Sequence, residues 1–227
     1  MKIYAADCSV LKDEKLFAEC FELMSEKRKQ TINQYKAEKD RMRSLGAGML
    51  LNLALAETYP EVPLPPELDF QKDGKPLLTG FDYIHFNLSH SGTYAVCALD
   101  DSAIGIDIER IKPAKAGIAA RFFSAEETEF LKTIPNEDQK AFFVVWTRKE
   151  AFLKALGKGL RMDLRSFSVC KKDCGVQEIF EVLQEGRSSG WFCTSMEFGE
   201  NYIISTCSQN ADFPSGIKTL NLAFNGR

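Results

Sequence analysis

Two acidic residues, Asp107 and Glu109, lie in the apolar segment 103–110 (AIGIDIER), which is typical of a β-strand. Because side chains alternate between the faces of a strand, both carboxylates point to one face and Ile106 and Ile108 to the other. Neighbouring carboxylates repel each other unless a cation lies between them, and Mg²⁺ prefers oxygen ligands of this kind. The pattern indicates a metal site, although an acidic strand face that simply meets water would have the same sequence.

A stripe of polar residues runs along the segment 137–156, whose apolar spacing predicts a long helix. Trp146, Glu150, Lys154 and Lys158 recur every four residues and therefore share one face. A face with one carboxylate and two amines suits a metal-bound pyrophosphate, with Glu150 as a third metal ligand and Lys154 as a phosphate contact. Alternatively, Glu150 and Lys154 form an ordinary surface pair, which would stabilise the helix by about 0.3–0.5 kcal/mol.

A serine next to a histidine occurs in the segment 86–92 (FNLSHSG). The pair could suggest a hydrolase, but adjacent strand residues point to opposite faces, so Ser89 and His90 do not form a nucleophile and its base. The chain also lacks a G-x-S-x-G nucleophile elbow. We therefore expect His90, at the end of a strand, to donate a hydrogen bond to an anion. A hydrogen-bonded histidine without a chemical role is the alternative.

Basic residues occur in two further places. The segment 73–76 (DGKP) predicts a tight turn that holds Lys75, whose amine could meet a phosphate while the turn's backbone reads a base edge. A basic run covers 27–29 (KRK) and continues at Arg41 and Arg43. Taken alone, these features are typical of a hairpin turn and of a solvated helix face.

The elements that must position these residues follow from the apolar periods along the chain. The prediction is a strand at 1–10, helices at 13–24 and 25–59, and strands at 68–71, 76–79, 83–91, 93–100 and 103–110. Helices are predicted from 125 and at 137–156, strands at 166–169, 190–198 and 201–208 within the segment 164–208, and a loose covering segment at 210–227. A long helix followed by strands occurs twice, which favours an α+β protein with an internal duplication.

Composition limits the chemistry available. The 227 residues carry 29 Lys and Arg against 32 Asp and Glu, and the net charge of −3 argues against a general nucleic-acid binder. Only two histidines are present, so we expect carboxylates rather than a histidine-rich metal site. The uncharged stretch 44–56 is too short to span a membrane. Without a predicted signal peptide, the seven cysteines are expected to be reduced thiols of a cytoplasmic protein.

Taken together and in this order, the segments resemble the 4′-phosphopantetheinyl transferase superfamily, in particular its double-length, surfactin-synthetase-activating type. The resemblance is most specific in the motif at 105–109 (GIDIE) and the later motif at 146–154 (WTRKEAFLK). The other matching segments are 27–44 (KRK…RMRS), 74–76 (GKP), 86–92 (FNLSHSG) and 121–127 (RFFSAEE).

The resemblance implies an α+β fold of two similar, pseudo-twofold-related halves, each a small antiparallel sheet packed on a long helix. Residues 1–102 would form the first half and 103–227 the second, with coenzyme A in the cleft between them. Such enzymes act as monomers. They transfer the 4′-phosphopantetheine arm of coenzyme A to a serine of an apo acyl or peptidyl carrier protein and release adenosine 3′,5′-bisphosphate, which is holo-carrier-protein synthase activity. Nucleic acid and membranes are not expected partners.

The resemblance also implies the site residues. Asp107, Glu109 and Glu150 match the ligands of Mg²⁺, with Mn²⁺ as the alternative metal. The residues that match contacts to coenzyme A are Lys27, Arg43, Ser44, Asp73, Gly74, Lys75, Pro76, Ser89, His90, Asp107 and Lys154. Gln30 stands where some members have a further lysine, and Glu127 matches an acidic position to which we assign no role.

In the expected reaction the carrier serine attacks the phosphorus that bears pantetheine. Charge on the pyrophosphate would be neutralised by the metal, with help from Lys154 and His90. Glu150 is the expected general base, and a metal-activated water is the alternative. Two other functions remain open at this stage: a Mg²⁺-dependent phosphodiesterase built on the same carboxylates, and a coenzyme A-binding module without catalysis.

Overall fold

The computed structural model describes residues 1–114, 117–132, 139–159, 162–172 and 174–223. The helices are α1 (Glu14–Glu22), α2 (Glu26–Gln34), α3 (Glu38–Thr58), α4 (Ile118–Phe122), α5 (Ala125–Leu131) and α6 (Lys140–Leu156). The strands are β1 (Lys2–Asp7), β2 (Leu68–Phe70), β3 (Pro76–Leu78), β4 (His85–Ser91), β5 (Tyr94–Asp100), β6 (Ile104–Arg110), β7 (Phe167–Ser168), β8 (Phe180–Gln184), β9 (Arg187–Phe198), β10 (Tyr202–Ser208) and β11 (Lys218–Thr219). No described helix is long and apolar enough to cross a membrane.

The first half is a sheet in the order β11-β1-β5-β4 that packs on α3. The middle of α3 is apolar on nearly every side, which is the pattern of a helix buried all round. It contacts β1 and β5 and also α1 and α2, so that Leu45, Met49 and Leu50 are almost fully buried. A short hairpin, β2–β3, forms a separate two-stranded sheet.

The second half repeats this arrangement with a sheet in the order β6-β10-β9-β8-β7 and with α6 lying against β6 and β10. Phe143 and Phe152 of α6 are buried in a core that also contains Phe130 and Phe167. The helix ends at Gly157, whose φ of 71° is the left-handed conformation that glycine adopts without strain. The predicted α+β class and its two similar halves are therefore confirmed.

The two halves meet through an apolar interface between their sheets. Its members include Ile3 and Val96 from the first half and Ile106 and Ile204 from the second, all 3% exposed or less. The strands β4 and β6, which belong to different sheets, run beside each other across this interface. The segment 86–92 is thereby brought next to the acidic strand.

One predicted helix is in fact two. The expected helix 25–59 breaks between α2 and α3, because Tyr35 and Ala37 adopt extended backbone conformations. The break turns α2 across α3, and the Arg28 guanidinium then donates a hydrogen bond of 2.7 Å to the carbonyl oxygen of Ser44. The periodicity missed the break because the sequence there contains neither glycine nor proline.

Other differences concern the second half and the C-terminus. The strand β8 was not predicted, and α6 begins at Lys140 rather than at 137, which lies outside the described residues. The segment expected to be a loose cover instead returns to the first half. There β11 pairs in parallel with β1, and Leu222 is buried in the first core. Residues 218–222 thus pack with the first half, although the predicted division assigns them to the second.

Gly105 allows β6 and α6 to approach each other closely. A Cβ atom at this position would lie 1.9 Å from the carbonyl oxygen of Ala151 and 2.5 Å from the backbone nitrogen of Ala155. Both neighbours are helix backbone, which cannot move aside as a flexible side chain can. The glycine therefore sets the distance between the acidic strand and the helix that carries Glu150 and Lys154.

We predict that Gly105→Ala lowers the free energy of unfolding by about 3 kcal/mol, because overpacking against a rigid backbone lies at the upper end of the usual cost. Urea denaturation measures the change. Gly216→Ala is the matched control, because a Cβ there meets no atom within 4 Å. Equal unfolding midpoints for the two variants would contradict the prediction.

Candidate active site

An open pocket of about 520 Å³ lies where the two halves meet. The predicted site residues that line it are Ser44, Pro76, Ser89, His90, Asp107, Glu109, Glu150 and Lys154. They come from α3, β3, β4, β6 and α6, so the sheets and the long helices of both halves contribute to the pocket. Trp146, the first residue of the predicted stripe on α6, also lines it, whereas Lys158 lies exposed beyond the helix end.

Asp107 is the most enclosed carboxylate of the pocket, with 6% of its surface exposed. Its Oδ1 atom accepts hydrogen bonds from Lys154 Nζ at 2.6 Å and from Ser89 Oγ at 2.8 Å. Its Oδ2 atom is buried, and no hydrogen-bond donor among the described residues reaches it. One oxygen of Asp107 is thus neutralised by the protein, while the other is available to a cation.

Glu109 and Glu150 are half-buried beside Asp107. Burial raises the pKa of Glu109, a hydrogen bond of 2.7 Å from Ser91 Oγ opposes the rise, and the charge of Asp107 adds to it. Burial also raises the pKa of Glu150, again with a contribution from Asp107. Desolvation and mutual repulsion therefore disfavour three charged carboxylates here unless positive charge is added.

The predicted metal ligands line one pocket but do not converge on one point. Across the described ranges, no three histidine, cysteine, aspartate or glutamate side chains lie close enough to hold a metal ion. Like-charged carboxylates repel each other, and the ammonium of Lys154 pairs with Asp107 at 2.6 Å. The donor set still suits a hard cation such as Mg²⁺, because it consists of carboxylate oxygens and leaves Asp107 Oδ2 without a partner.

Lys154 supplies positive charge to the same pocket, and Lys154 and His90 both supply hydrogen-bond donors. Lys154 reaches the neighbouring strands, where its amine also donates to Ser89 Oγ at 2.9 Å and to the carbonyl oxygen of Ile106 at 3.2 Å. His90 lies in the open part of the pocket. Reduced solvation lowers its pKa, and the charges of Arg43 and Lys154 lower it further. The pocket therefore combines carboxylates with an ammonium group and an imidazole.

Comparison with known proteins identifies the family. Family models described as "4'-phosphopantetheinyl transferase, N-terminal" and "4'-phosphopantetheinyl transferase superfamily" match residues 12–102 and 103–207. A 4′-phosphopantetheinyl transferase of Bacillus subtilis is 36% identical over 196 residues, which is 86% of each chain. The transferase Sfp of Bacillus subtilis strain 168 is 33% identical over 195 residues, again 86% of each chain, and psf-1 of Bacillus pumilus is 38% identical over 175 residues, 74% of each.

This chain belongs to the 4′-phosphopantetheinyl transferase family. The predicted family, its Sfp-type relationship and the transferase class are confirmed. The phosphodiesterase and the non-catalytic coenzyme A module receive no support from these relatives.

The transferase does not present every predicted coenzyme A contact to the pocket. Lys75 Nζ donates to the carbonyl oxygens of Ile104 at 3.0 Å and Ala155 at 2.8 Å, and burial lowers the pKa of this amine to about 8. The sequence suggested that this amine could meet a phosphate, but here it joins the β2–β3 turn to the second half. The turn itself, with Asp73 and with Gly74 at a φ of 88°, forms as predicted.

Lys27 and Arg43 also lie at the edge of this arrangement. Lys27 lines a neighbouring groove of about 510 Å³, with its Nζ atom 3.9 Å from the ring centre of Phe70. Arg43 pairs with Asp40, and its Nε atom is buried with no hydrogen-bond partner among the described residues. Its charge still acts on His90.

One residue of the transferase pocket escaped the sequence prediction. Arg28 lines the pocket as well as the groove beside it. Its Nε atom is buried and has no hydrogen-bond acceptor among the described residues. The guanidinium can therefore donate a further hydrogen bond to an anion. The sequence carried two signals: Arg28 belongs to the basic run 27–29, and it is spaced three and seven residues before Thr31 and Tyr35, which also line the pocket.

Glu127 has a structural role that the sequence did not reveal. It is completely buried and pairs at 2.8 Å with Lys149, which is also completely buried. Its carboxylate accepts hydrogen bonds from the backbone nitrogens of Ser124 and Val169, and Lys149 donates to the carbonyl oxygens of Leu164 and Phe167. The pair therefore joins α5 to the residue that precedes Glu150 on α6.

We predict that Glu127→Ala lowers the free energy of unfolding by about 3–5 kcal/mol, because it leaves the buried ammonium of Lys149 without its partner. Urea denaturation again measures the loss. Glu129→Ala removes an exposed pair with Lys132 on the same helix and should change stability little, since exposed pairs contribute little. If both variants unfold at the same urea concentration, the buried pair does not have this role.

Proposed function

We propose that this transferase binds the pyrophosphate of coenzyme A in the pocket between its halves and passes the 4′-phosphopantetheine arm to a serine of an acyl or peptidyl carrier protein. The observation that carries the proposal is that Asp107, Glu109 and Glu150 line one pocket together with Lys154 and His90. Carboxylates beside hydrogen-bond donors and a positive charge suit a substrate that brings both phosphate charge and a cation.

Mg²⁺, or alternatively Mn²⁺, is the proposed metal, and Asp107, Glu109 and Glu150 would hold it. When bound, the metal would supply positive charge to the pyrophosphate oxygens. Two observations support this assignment: the Oδ2 atom of Asp107 has no partner among the described residues, and the pKa values of Glu109 and Glu150 are raised. A bound cation would give Oδ2 a partner and would favour the charged form of both glutamates. The bound metal would compete with Lys154 for Asp107.

The protein's own groups account for the remaining chemistry. Glu150, on the pocket face of α6, would accept the proton of the carrier serine. The serine oxygen forms a bond to the phosphorus that bears pantetheine, and the bond from that phosphorus to adenosine 3′,5′-bisphosphate breaks. Lys154 would donate to the pyrophosphate of bound coenzyme A both before and during the reaction, His90 would donate as charge develops there, and Arg28 is positioned to assist them.

The remaining contacts to coenzyme A are also proposals. Ser44, Pro76, Ser89 and His90 would line the binding site directly, with Asp107 and Lys154 near the pyrophosphate. Because the Lys75 amine is engaged, we propose that the turn 73–76 contributes its backbone. Lys27 and Arg43 would act as basic residues at the site's edge. We further propose a cytoplasmic monomer without nucleic-acid or membrane partners.

Mass spectrometry of several apo carrier proteins incubated with coenzyme A, Mg²⁺ and the transferase tests the activity. A gain of about 340 Da on the carrier is expected, because the reaction adds the arm covalently to a serine. Asp107→Ala and Glu150→Gln should abolish the gain while far-UV circular dichroism stays unchanged. Glu200→Gln replaces an exposed carboxylate in the β9–β10 turn with a carboxamide and should leave the mass gain unchanged. Full activity in either pocket variant would refute the assignment.

We predict that Lys154→Ala reduces kcat/KM for coenzyme A by about 10- to 150-fold, the equivalent of one charge-assisted hydrogen bond. The loss should fall mainly on KM, because Lys154 is proposed to contact the substrate's pyrophosphate. Steady-state kinetics at saturating carrier protein measure both parameters. Unchanged kcat and KM would remove Lys154 from the site.

A further inference from the structure

The strands β4 and β6 are joined by side chains rather than by a main-chain ladder. Backbone pairing places β4 with β5 and β6 with β10, in different sheets. Across the gap, Asn87 Oδ1 accepts a hydrogen bond of 2.9 Å from the backbone nitrogen of Ile106. Two positions further along, Ser89 Oγ donates to Asp107 at 2.8 Å.

Ser91 makes the third contact of this series, and it makes two hydrogen bonds. Its Oγ atom donates to Glu109 Oε2 at 2.7 Å and accepts from the backbone nitrogen of Arg110 at 3.1 Å. The backbone nitrogen of Arg110 can only donate and an ionised carboxylate can only accept, so the hydroxyl accepts from Arg110 and gives its single hydrogen to Glu109. The direction of the bond is therefore determined, and Glu109 is oriented by a fixed group.

The position of Ser91 is itself well defined. Its side chain is only 7% exposed, and it precedes Gly92, at which a Cβ atom would lie 2.1 Å from the hydroxyl oxygen of Tyr202. The same hydroxyl accepts a hydrogen bond of 3.3 Å from the backbone nitrogen of Thr93. The β4–β5 turn is thus attached to the second half immediately after Ser91, and it has little freedom to move away.

We infer that Ser91 is a positioning residue of this transferase, which aims the Glu109 carboxylate into the pocket through the hydrogen bond across the β4–β6 gap. The hydrogen bond to Asn87 supports this role, because it fixes the register of β4 relative to β6. The inference rests on the proposed function, because it assigns Glu109 a cation to hold. Outer groups that orient metal ligands usually affect metal affinity by about 10- to 100-fold.

The test compares Ser91→Ala with the wild-type chain. Electron paramagnetic resonance measures Mn²⁺ binding to the protein without carrier, and transfer assays measure the Mg²⁺ concentration for half-maximal rate. We expect Ser91→Ala to raise the Mn²⁺ dissociation constant and the Mg²⁺ concentration for half-maximal rate by about 10- to 100-fold. Ser91→Thr, which keeps the hydroxyl, should return both to the wild-type values. Ser102→Ala is the matched control, because Ser102 also donates to a carboxylate, at 3.2 Å to Asp100, away from the pocket.

A double-mutant cycle separates positioning from general stability. In a Glu109→Gln background, Ser91→Ala should weaken Mn²⁺ binding little further, because the oriented carboxylate is already gone. An equal loss in both backgrounds would overturn the positioning role, as would wild-type Mn²⁺ affinity in Ser91→Ala. A wild-type chain that binds no Mn²⁺ at all would instead refute the metal part of the proposed function, and the positioning role with it.

Discussion

The close approach of β6 and α6 at Gly105 is the constraint on which the pocket depends. A side chain there would overlap the helix backbone at Ala151, so only glycine allows the strand and the helix to lie at this distance. At this separation the amine of Lys154 reaches Asp107 at 2.6 Å, and Glu150 faces the same space. The motifs at 105–109 and 146–154, which are distant in the chain, lie side by side because Gly105 has no side chain between the strand and the helix.

The helix turn that carries Glu150 is held by buried cations. Arg148, which is completely buried, donates to Ser195 Oγ at 2.8 Å and to the carbonyl oxygens of Val176 and Glu178 at 2.7 and 3.0 Å. Lys149 is anchored on the other side through Glu127. Burying charges is costly unless each donor finds a partner. The complete hydrogen bonding of these two residues therefore prevents α6 from rotating, and Glu150 keeps its direction into the pocket.

The first half contributes rigidity and positive charge rather than carboxylates. Its strand β4 presents Asn87, Ser89 and Ser91 to β6 at a spacing that matches the acidic strand, while His90 on its other face meets the open pocket. The break before α3 lets α2 cross over and bring Arg28 to the pocket. The first half thus brings Arg28 and His90 to a pocket whose carboxylates and Lys154 come from the second half.

Local patterns in the sequence determined most of the helices and strands, the shared face of Asp107 and Glu109, and the family, because strand alternation, helix spacing and motif order are read from neighbouring residues. The tertiary structure alone decided that the Lys75 amine is engaged, that Glu127 is structural and that Arg28 lines the pocket. Each of these depends on contacts between residues far apart in the chain. A charge pattern shows which groups can act, but only packing decides which of them remain free to do so.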